Sequence, residues 1–380
     1  MSVRLLTADA LARALSLRDL TDPAAGPHAL QLLVDAATAA LAARWGARVV
    51  VHRGERVVPL DDNYDRLHYP PEGAARDARY TRYVTPTTVL RTQTSALVPP
   101  LLVDVAAQGL EDALLVCPGI VYRRDCIDRL HTGEPHQLDL WRVRRGPRLG
   151  EDDLEDMIRV VVEALLPGRV HRTVPASHPY TTCGRQVDVL VDDEWLEIGE
   201  CGLAKDAILE ESGHDLDDTS GLALGIGLDR LLMIAKGIDD IRLLRSSDPR
   251  VSGQMLDLTP WRPVSTQPPL RRDLSVAVGA DITPEELGDR VREALGDASR
   301  SLEAVELLSE TPGEALPEAA RARLGLRPGQ KNVLVRIVIR DLERTLTAEE
   351  GNALRDDVYA ALHEGEVHQW ASERPPGRSA

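Results

Sequence analysis

The chain has 380 residues, a formal net charge of −16 and 43% hydrophobic residues. This composition is typical of a globular protein and excludes fibrous and disordered classes, while the acidic balance argues against general affinity for nucleic acids. The four cysteines contain no CxxC pair and so indicate neither a zinc site nor a disulfide framework. No apolar run is long enough to cross a membrane and no signal-peptide pattern is present, so we expect a cytoplasmic protein.

One amino acid is missing altogether: the chain contains no phenylalanine, although average usage would place roughly a dozen in a chain of this length. We hypothesise that the protein must be made correctly when phenylalanine codons are read poorly. A chain without phenylalanine is unaffected by scarce charged tRNA or by an analogue that enters at those codons. Drift in an aromatic-poor lineage remains the alternative.

Residues 1–75 are predicted to form a helical accessory segment. An Ala/Leu pattern at helical spacing ends at Gly46, and two short valine-rich runs then predict a hairpin around Gly54. The following residues are polar and rich in proline and glycine, which is typical of a loop.

Residues 76–262 are predicted to form an α+β domain. Short β-rich runs, among them ALLVCPG, HQLDLWRV, RQVDVLV and EWLEIGECG, alternate with helices at Asp152–Leu166 and Leu228–Lys236, the second closed by Gly237. Strands joined mostly by hairpins predict an antiparallel sheet with flanking helices.

Residues 268–375 follow a Pro-rich linker and show a β-α-β-β-α-β pattern, which predicts a ferredoxin-like domain. Capping boxes open both helices, at Thr283 and Thr347. A fourth strand is expected near Glu366–Trp370, and residues 310–331 are expected to form a long loop.

Two arginines indicate an anion site. Arg123 is predicted to lie on a strand, and Arg230 stands at the start of a helix whose N-terminal dipole favours anions. No GxxxxGK[ST] motif occurs, so a nucleotide would have to be held without a phosphate loop. Arginines on two separate elements are suited to clamp a triphosphate from both sides.

Several segments, in this order, resemble the catalytic core of class II phenylalanyl-tRNA synthetases: VLRTQTSALV, GIVYRRDCIDRLHTGEPHQ, EWLEIGECG and SGLALGIGLDRLLMIAKGIDDIR. The region from PPLRRDLSVAV onward resembles the anticodon-binding domain of the same family. The layout is similar to the single-chain form, and the resemblance covers about residues 60 to 365. It implies a class II antiparallel sheet followed by a ferredoxin-fold anticodon-binding domain, with ATP and Mg²⁺ as cofactors.

The resemblance also implies roles for individual residues. Arg123 and Arg230 would act catalytically on the phosphates, and Glu197 would meet ATP-bound Mg²⁺. The implied ATP-binding residues are Arg123, Asp125, His131, Pro135, Glu197 and Arg230. The implied amino-acid-binding residues are Gln93, Ser95, Gln137, Asp139, His178, Tyr180, Glu200, Leu222, Ala223 and Leu224.

The chain departs from the family at the places where the family carries phenylalanine. Leu222, Leu224 and Tyr180 are conservative replacements, but His178, together with Gln93 and Glu200 nearby, adds hydrogen-bonding groups around the implied pocket. A buried polar group discriminates against a substrate that leaves it unpaired. An aromatic amino acid with a polar substituent therefore fits better than plain phenylalanine.

The implied partners are an aromatic amino acid and a tRNA, of the kind that accepts phenylalanine, and the chain is expected to be a monomer or a homodimer. Two other functions stay open. One is an adenylate-forming ligase that passes its acyl group to an acceptor other than tRNA. The other is a tRNA-binding paralogue without catalytic activity.

Overall fold

The computed structural model describes residues 5–264, 268–342 and 344–368, which fall into two compact units. The first unit contains the described residues up to Arg123 together with Glu134–Arg262. The second contains Arg124–Gly133 and the described residues from Pro263 onward. Since the first unit includes the N-terminal residues, the predicted boundary at residue 75 falls inside it.

The regular elements of the first unit alternate irregularly between helix and strand. Its helices are α1 (Ala8–Ser16), α2 (Ala29–Trp45), α3 (Leu60–Asn63), α4 (Val98–Gln108), α5 (Glu151–Leu165), α6 (Asp206–Glu211), α7 (Leu228–Lys236) and α8 (Pro249–Ser252). Its strands are β1 (Arg48–Val51), β2 (Val57–Pro59), β3 (Tyr83–Thr85), β4 (Thr88–Leu90), β5 (Asp112–Ile120), β6 (His136–Arg145), β7 (His171–Pro175), β8 (Thr181–Val191), β9 (Glu194–Ala204) and β10 (Thr219–Gly227).

A seven-stranded sheet forms the centre of this unit, in the order β1-β5-β6-β10-β9-β8-β7. Its pairs are antiparallel except for β1 with β5, which run parallel. The predicted α+β class, with a large antiparallel sheet and flanking helices, is confirmed. Helix α7 has the predicted bounds and ends at Gly237 in the left-handed conformation, as the glycine stop requires.

The hairpin predicted around Gly54 is wrong. Strand β1 pairs with β5 in the large sheet, whereas β2 pairs with β4 in a separate three-stranded sheet of order β2-β4-β3. The prediction considered only neighbours in sequence. The residues of β5 are almost all buried, so the backbone N–H and C=O groups along its free edge need hydrogen-bond partners. Strand β1, about sixty residues earlier in the sequence, provides them.

The second unit has helices α9 (Pro284–Leu295), α10 (Glu318–Leu324) and α11 (Ala348–Leu362) and strands β11 (Leu270–Gly279), β12 (Leu302–Pro312) and β13 (Gln330–Ile339). The strands pair antiparallel in the order β11-β13-β12. This agrees with the first part of the predicted β-α-β-β-α-β pattern. Both predicted capping boxes are present, at Thr283 and Thr347.

Two details of this unit differ from prediction. Residues 310–331 are not one loop, because they contain the end of β12, helix α10 and the start of β13. Of the predicted fourth strand near Glu366–Trp370, residues 366–368 are not in a strand, and residues 369–370 lie outside the described residues.

Candidate functional site

A buried carboxylate on β6 is the most distinctive feature of the large sheet. The side chain of Asp139 accepts hydrogen bonds from Thr94 Oγ1 (2.8 Å), Ser95 Oγ (2.9 Å) and Trp141 Nε1 (3.4 Å). Asp139 is 3% exposed, and burial raises the pKa of its carboxyl group even though these donors lower it. A buried carboxylate of this kind is stabilised in its charged form when a cation binds next to it, because the cation compensates for the lost contact with water.

Two glutamines flank this carboxylate. Gln137 precedes it by two residues on β6, and its Oε1 atom lies 3.4 Å from the backbone nitrogen of Thr94. The amide of Gln93 is oriented at both ends, since Nε2 donates to the Asn63 carbonyl (3.0 Å) and Oε1 accepts from the Tyr69 hydroxyl (2.8 Å). Asn63 and Tyr69 carry no signal in the sequence, because both belong to a segment whose composition predicts a polar loop.

Aromatic rings gather beside the carboxylate. Tyr180 stacks on Trp141 with ring centres 5.9 Å apart, and its ring lies 6.3 Å from Tyr69 and 6.1 Å from His178. Burial raises the pKa of Tyr69 to about 12 and holds that of Tyr180 well above its ordinary value, so both phenols are neutral donors. Ala223 belongs to the same buried cluster as Tyr180 and Trp141. The structure thus brings the predicted residues His178, Tyr180 and Ala223 together.

Leu222 and Leu224 are not part of this cluster. Side chains alternate along a strand, so these two leucines of β10 point to the face opposite that of Ala223. Leu224 lines a small apolar cavity together with Ile158, Val161 and Val162 of α5. The structure therefore does not bring these two predicted amino-acid-binding residues to Asp139. The motif alone carried no information about which face of the strand each residue occupies.

Two glutamates on β9 lie on the face of the sheet that carries Asp139. Glu200 pairs with Gly225 of β10, where an added Cβ would lie 3.8 Å from the Asp139 carboxylate oxygens. Residues three positions apart on a regular strand point to opposite faces, but the register between β8 and β9 shifts here. Ile198 and Gly199 both line the cavity beside α5, so Glu197 and Glu200 share the other face. Burial raises the pKa of Glu197, and repulsion from Glu200 raises it further.

The two predicted catalytic arginines both stabilise the charged form of Glu197. Arg230 Nη1 donates to the Glu197 carbonyl (3.1 Å), and Arg123 Nε donates to the Thr92 carbonyl (2.8 Å). The charges of both guanidinium groups lower the pKa of Glu197 and partly offset the effects that raise it. Arg123 was expected on a strand, but it lies after β5, which ends at Ile120. The end of the β5–β6 pairing leaves it exposed.

A buried aspartate fixes the start of the helix that carries Arg230. Asp229 accepts hydrogen bonds from the backbone nitrogen and the ring Nδ1 of His136 on β6, the latter at 3.0 Å. Burial raises the pKa of Asp229, but His136 outweighs this effect and holds it below its ordinary value. Among the residues that the structure describes, no side chain caps the first turn of α7. Its backbone N–H groups are thus available to an anion.

Asp125 and His131 belong to segment 124–133, which is part of the second unit. Arg292 Nη2 donates to the Cys126 carbonyl (2.6 Å) and its Nη1 to that of Asp125. His131 pairs with Asp128 at 2.7 Å, which raises the pKa of His131 to about 10 and lowers that of Asp128 to about 2.

Potential ligand atoms of Cys126, Asp128 and His131 lie within 4.8 Å of one another, a set that can hold a cation. The remaining predicted nucleotide residue, Pro135, lies in the first unit just before β6. Its carbonyl accepts from the backbone nitrogen of Val121 (2.8 Å). The structure therefore divides the predicted nucleotide-binding residues between two units.

Within the described part of the chain, no helix is both long and apolar enough to cross a membrane. The stretch Trp141–Arg148 is rich in arginine, and two of these arginines are held in ion pairs. Arg142 pairs with Asp112, and Arg148 pairs with Asp206.

Comparisons with known proteins agree with this architecture. Residues 41–255 match the family described as tRNA synthetases class II core domain (F). The chain is 30% identical over 325 residues to the chloroplastic/mitochondrial phenylalanine–tRNA ligase of Arabidopsis thaliana, a match that covers 81% of this chain and 70% of that protein. A probable mitochondrial phenylalanine–tRNA ligase of Drosophila melanogaster is 26% identical and matches over 80% of this chain and 75% of its own length.

Bacterial relatives match over a shorter region. The phenylalanine–tRNA ligase alpha subunit of Prochlorococcus marinus is 34% identical over 188 residues, which is 50% of this chain and 54% of the subunit. Among solved structures, a pyrrolysyl tRNA synthetase of Desulfitobacterium hafniense has a TM-score of 0.44 at 21% identity, over 62% of this chain and 76% of its own. From the matched core domain and the extent of the Arabidopsis match, the chain belongs to the class II tRNA synthetase family of the phenylalanine–tRNA ligase type.

Proposed function

We propose that this protein is an aminoacyl-tRNA synthetase that activates phenylalanine, or an aromatic relative with a polar substituent, with ATP and transfers it to tRNA. The observation that carries the proposal is the buried Asp139 carboxylate beside the ring of Tyr180 on one face of the sheet. A negative charge beside aromatic surfaces suits the ammonium group and ring of an aromatic amino acid. The relatives named as phenylalanine–tRNA ligases support the same assignment.

In the first step, the amino-acid carboxylate forms a bond to the α-phosphorus of ATP, and the bond from that phosphorus to the bridging oxygen breaks. Pyrophosphate leaves, and the aminoacyl-adenylate remains. Arg123 and Arg230 would hold the phosphates from two elements, because guanidinium groups complement charge that spreads over the phosphate oxygens at the transition state. No side-chain nucleophile is needed, since positioning and electrostatics supply the catalysis.

In the second step, a ribose hydroxyl of the tRNA attacks the carbonyl carbon of the adenylate, loses its proton, and AMP departs. The tRNA is proposed to be of the kind that accepts phenylalanine. The second unit would bind the anticodon, in keeping with its ferredoxin-like strand order. A cytoplasmic location and a monomeric or homodimeric state remain predictions.

The residues present fit a magnesium ion that arrives with ATP. Glu197 offers hard carboxylate oxygens, and its pKa is raised by burial and by repulsion from Glu200, so a nearby divalent cation would relieve an existing electrostatic cost. When bound, Mg²⁺ neutralises phosphate charge. Arg230 would orient the outer phosphates, and Asp229 would keep the start of α7 in place.

Amino-acid-dependent exchange of pyrophosphate into ATP, followed by charging of tRNA, tests the proposal. Exchange and charging with an aromatic amino acid are expected, and both should be lost in the Arg123→Ala variant while its thermal unfolding stays normal. Exchange without charging of any tRNA would instead favour an adenylate-forming ligase with another acceptor. Binding of tRNA without exchange would favour a non-catalytic paralogue.

A further inference from the structure

A histidine–glutamate pair borders the aromatic cluster on the face of the sheet that carries Asp139. His178 Nε2 lies 3.2 Å from Glu200 Oε2, and the His178 ring lies 6.1 Å from that of Tyr180. The His178 side chain is 7% exposed, whereas that of Glu200 is 46% exposed. The buried imidazole therefore faces a carboxylate that still has access to a ligand.

The pair is incomplete as a hydrogen-bonded unit. His178 Nδ1 is 3.2 Å from Thr181 Oγ1, but the buried Nε2 atom has no aligned hydrogen bond to any residue that the structure describes. When the Thr181 hydroxyl donates to Nδ1, the ring proton lies on Nε2 and needs an acceptor. The proximity of His178 lowers the pKa of Glu200, so Glu200 is ionised at neutral pH, and its exposed oxygens can accept a further hydrogen bond from a ligand.

The same aromatic rings connect this pair to Asp139. The negative charges of Asp139 and Glu200 both add to the rise in the pKa values of Tyr69 and Tyr180 that burial causes. The contacts agree with this: Asp139 accepts from Trp141, which stacks on Tyr180, and Glu200 lies 3.2 Å from His178, whose ring is 6.1 Å from that of Tyr180. An aromatic amino acid offers a cation at one end and a ring at the other, so one carboxylate suits its ammonium group and the second suits a polar group on its ring.

We infer that His178 and Glu200 form a subsite for a hydroxyl group on the aromatic ring of the substrate, so that the preferred amino acid is a ring-hydroxylated phenylalanine. The hydroxyl donates to Glu200 and accepts from His178 Nε2, which satisfies both groups at once. This inference rests on the proposed function. An unsubstituted ring would shield both groups from water without replacing their hydrogen bonds, and we expect a loss of about ten- to a hundredfold in kcat/KM.

The composition of the chain provides a second, independent observation. A hydroxylated analogue that enters proteins at phenylalanine codons places a hydroxyl group in positions adapted to an apolar ring. This protein contains no phenylalanine and therefore cannot be altered in that way. An enzyme that handles such an analogue keeps its own core intact while the analogue is present.

Pyrophosphate exchange tests the subsite directly. The full-length protein is assayed with four amino acids: phenylalanine, its meta- and para-hydroxy derivatives, and meta-fluorophenylalanine. The fluorinated compound adds bulk to the ring without adding a hydrogen-bond donor. We expect kcat/KM for one hydroxylated amino acid to exceed that for phenylalanine and for the fluorinated analogue by about tenfold or more. In Glu200→Ala this ratio should fall to near one.

A matched control is the pair of His68 and Glu211, which lie 3.1 Å apart outside the aromatic cluster. Glu211→Ala should leave the ratio unchanged. If Glu200→Ala does not fold, Glu200→Gln keeps the side-chain shape and should also lower the ratio.

Equal kcat/KM values for phenylalanine and both hydroxylated amino acids, or a ratio that Glu200 variants do not change, would overturn the subsite and leave the proposed function standing. Absence of exchange with every aromatic amino acid would overturn both.

Discussion

Replacing Asp139 by asparagine should make the empty protein more stable and the enzyme much less active. Asparagine has nearly the same shape, and the hydroxyls of Thr94 and Ser95 can each rotate to donate to its oxygen or accept from its nitrogen. The substitution removes a buried charge, and burying this charge without a cation in contact with it costs about 1–3 kcal/mol despite its hydrogen bonds. The variant should therefore unfold at a higher urea concentration at pH 7.

The pH dependence follows from the direction of the pKa shift. The folded state raises the pKa of Asp139, so it binds this proton more tightly than the unfolded chain does. The contribution of Asp139 to stability is most favourable at acidic pH and declines as pH rises through its folded-state pKa. The stability advantage of Asp139→Asn should accordingly be largest at neutral pH and shrink toward the ordinary aspartate pKa.

Activity should change in the opposite direction. Removal of one partner of a buried charge pair costs about 2–5 kcal/mol, which corresponds to about a 30-fold to several-thousand-fold loss in kcat/KM for the amino acid. Pyrophosphate exchange measures this loss, and the KM for ATP should change little. Asp112→Asn is a matched control: it breaks the ion pair with Arg142 at the other end of β6, so it should lower stability without raising the amino-acid KM. An Asp139→Asn variant that is less stable, or that keeps its amino-acid kcat/KM, would refute the reasoning.

Two further changes address the nucleotide. Arg230→Ala should raise the KM for ATP at least tenfold with little effect on thermal unfolding, because among the described residues Arg230 makes one hydrogen bond, to the backbone of Glu197. A normal ATP KM in exchange assays would contradict its assigned role. Ending the chain at Arg262 should also raise the ATP KM, because segment 124–133 carries two predicted nucleotide residues and would lose its partners in the second unit. One such contact is the hydrogen bond from Val305 N–H to the Ile127 carbonyl (2.8 Å). Unchanged ATP kinetics in the shortened chain would contradict a role of this segment in ATP binding.

Features governed by neighbouring residues were predictable from sequence. Helix α7 begins at Leu228 and ends at Lys236 as predicted, because a glycine in the left-handed conformation stops a helix wherever it lies in the fold. The capping boxes at Thr283 and Thr347 form for the same reason, since each joins residues three positions apart. The β-rich runs became strands because their side chains suit a buried sheet.

Features that depend on distant partners were predicted poorly. Strand β1 pairs with β5 instead of with its neighbour in sequence, and Tyr69 reaches Gln93 from a segment that has no recognisable pattern. Leu222 and Leu224 share a motif with Ala223, yet they face the opposite side of the sheet. Only the register of β10 against its neighbours decides which of these residues meets a ligand.

By itself, the sequence determined the class of the fold, the local elements, the family resemblance and the absence of phenylalanine. Those properties rest on hydrophobic period, capping and composition, which act over a few residues or are simple counts. Only the tertiary structure decided that Asp139 is a buried carboxylate among hydroxyls. It also decided that Glu200 lies opposite a buried His178 nitrogen that has no aligned hydrogen bond within the described part of the chain. Burial and unsatisfied hydrogen bonds arise from groups that fold together from distant parts of the chain, and for that reason the chemistry of the site became visible only there.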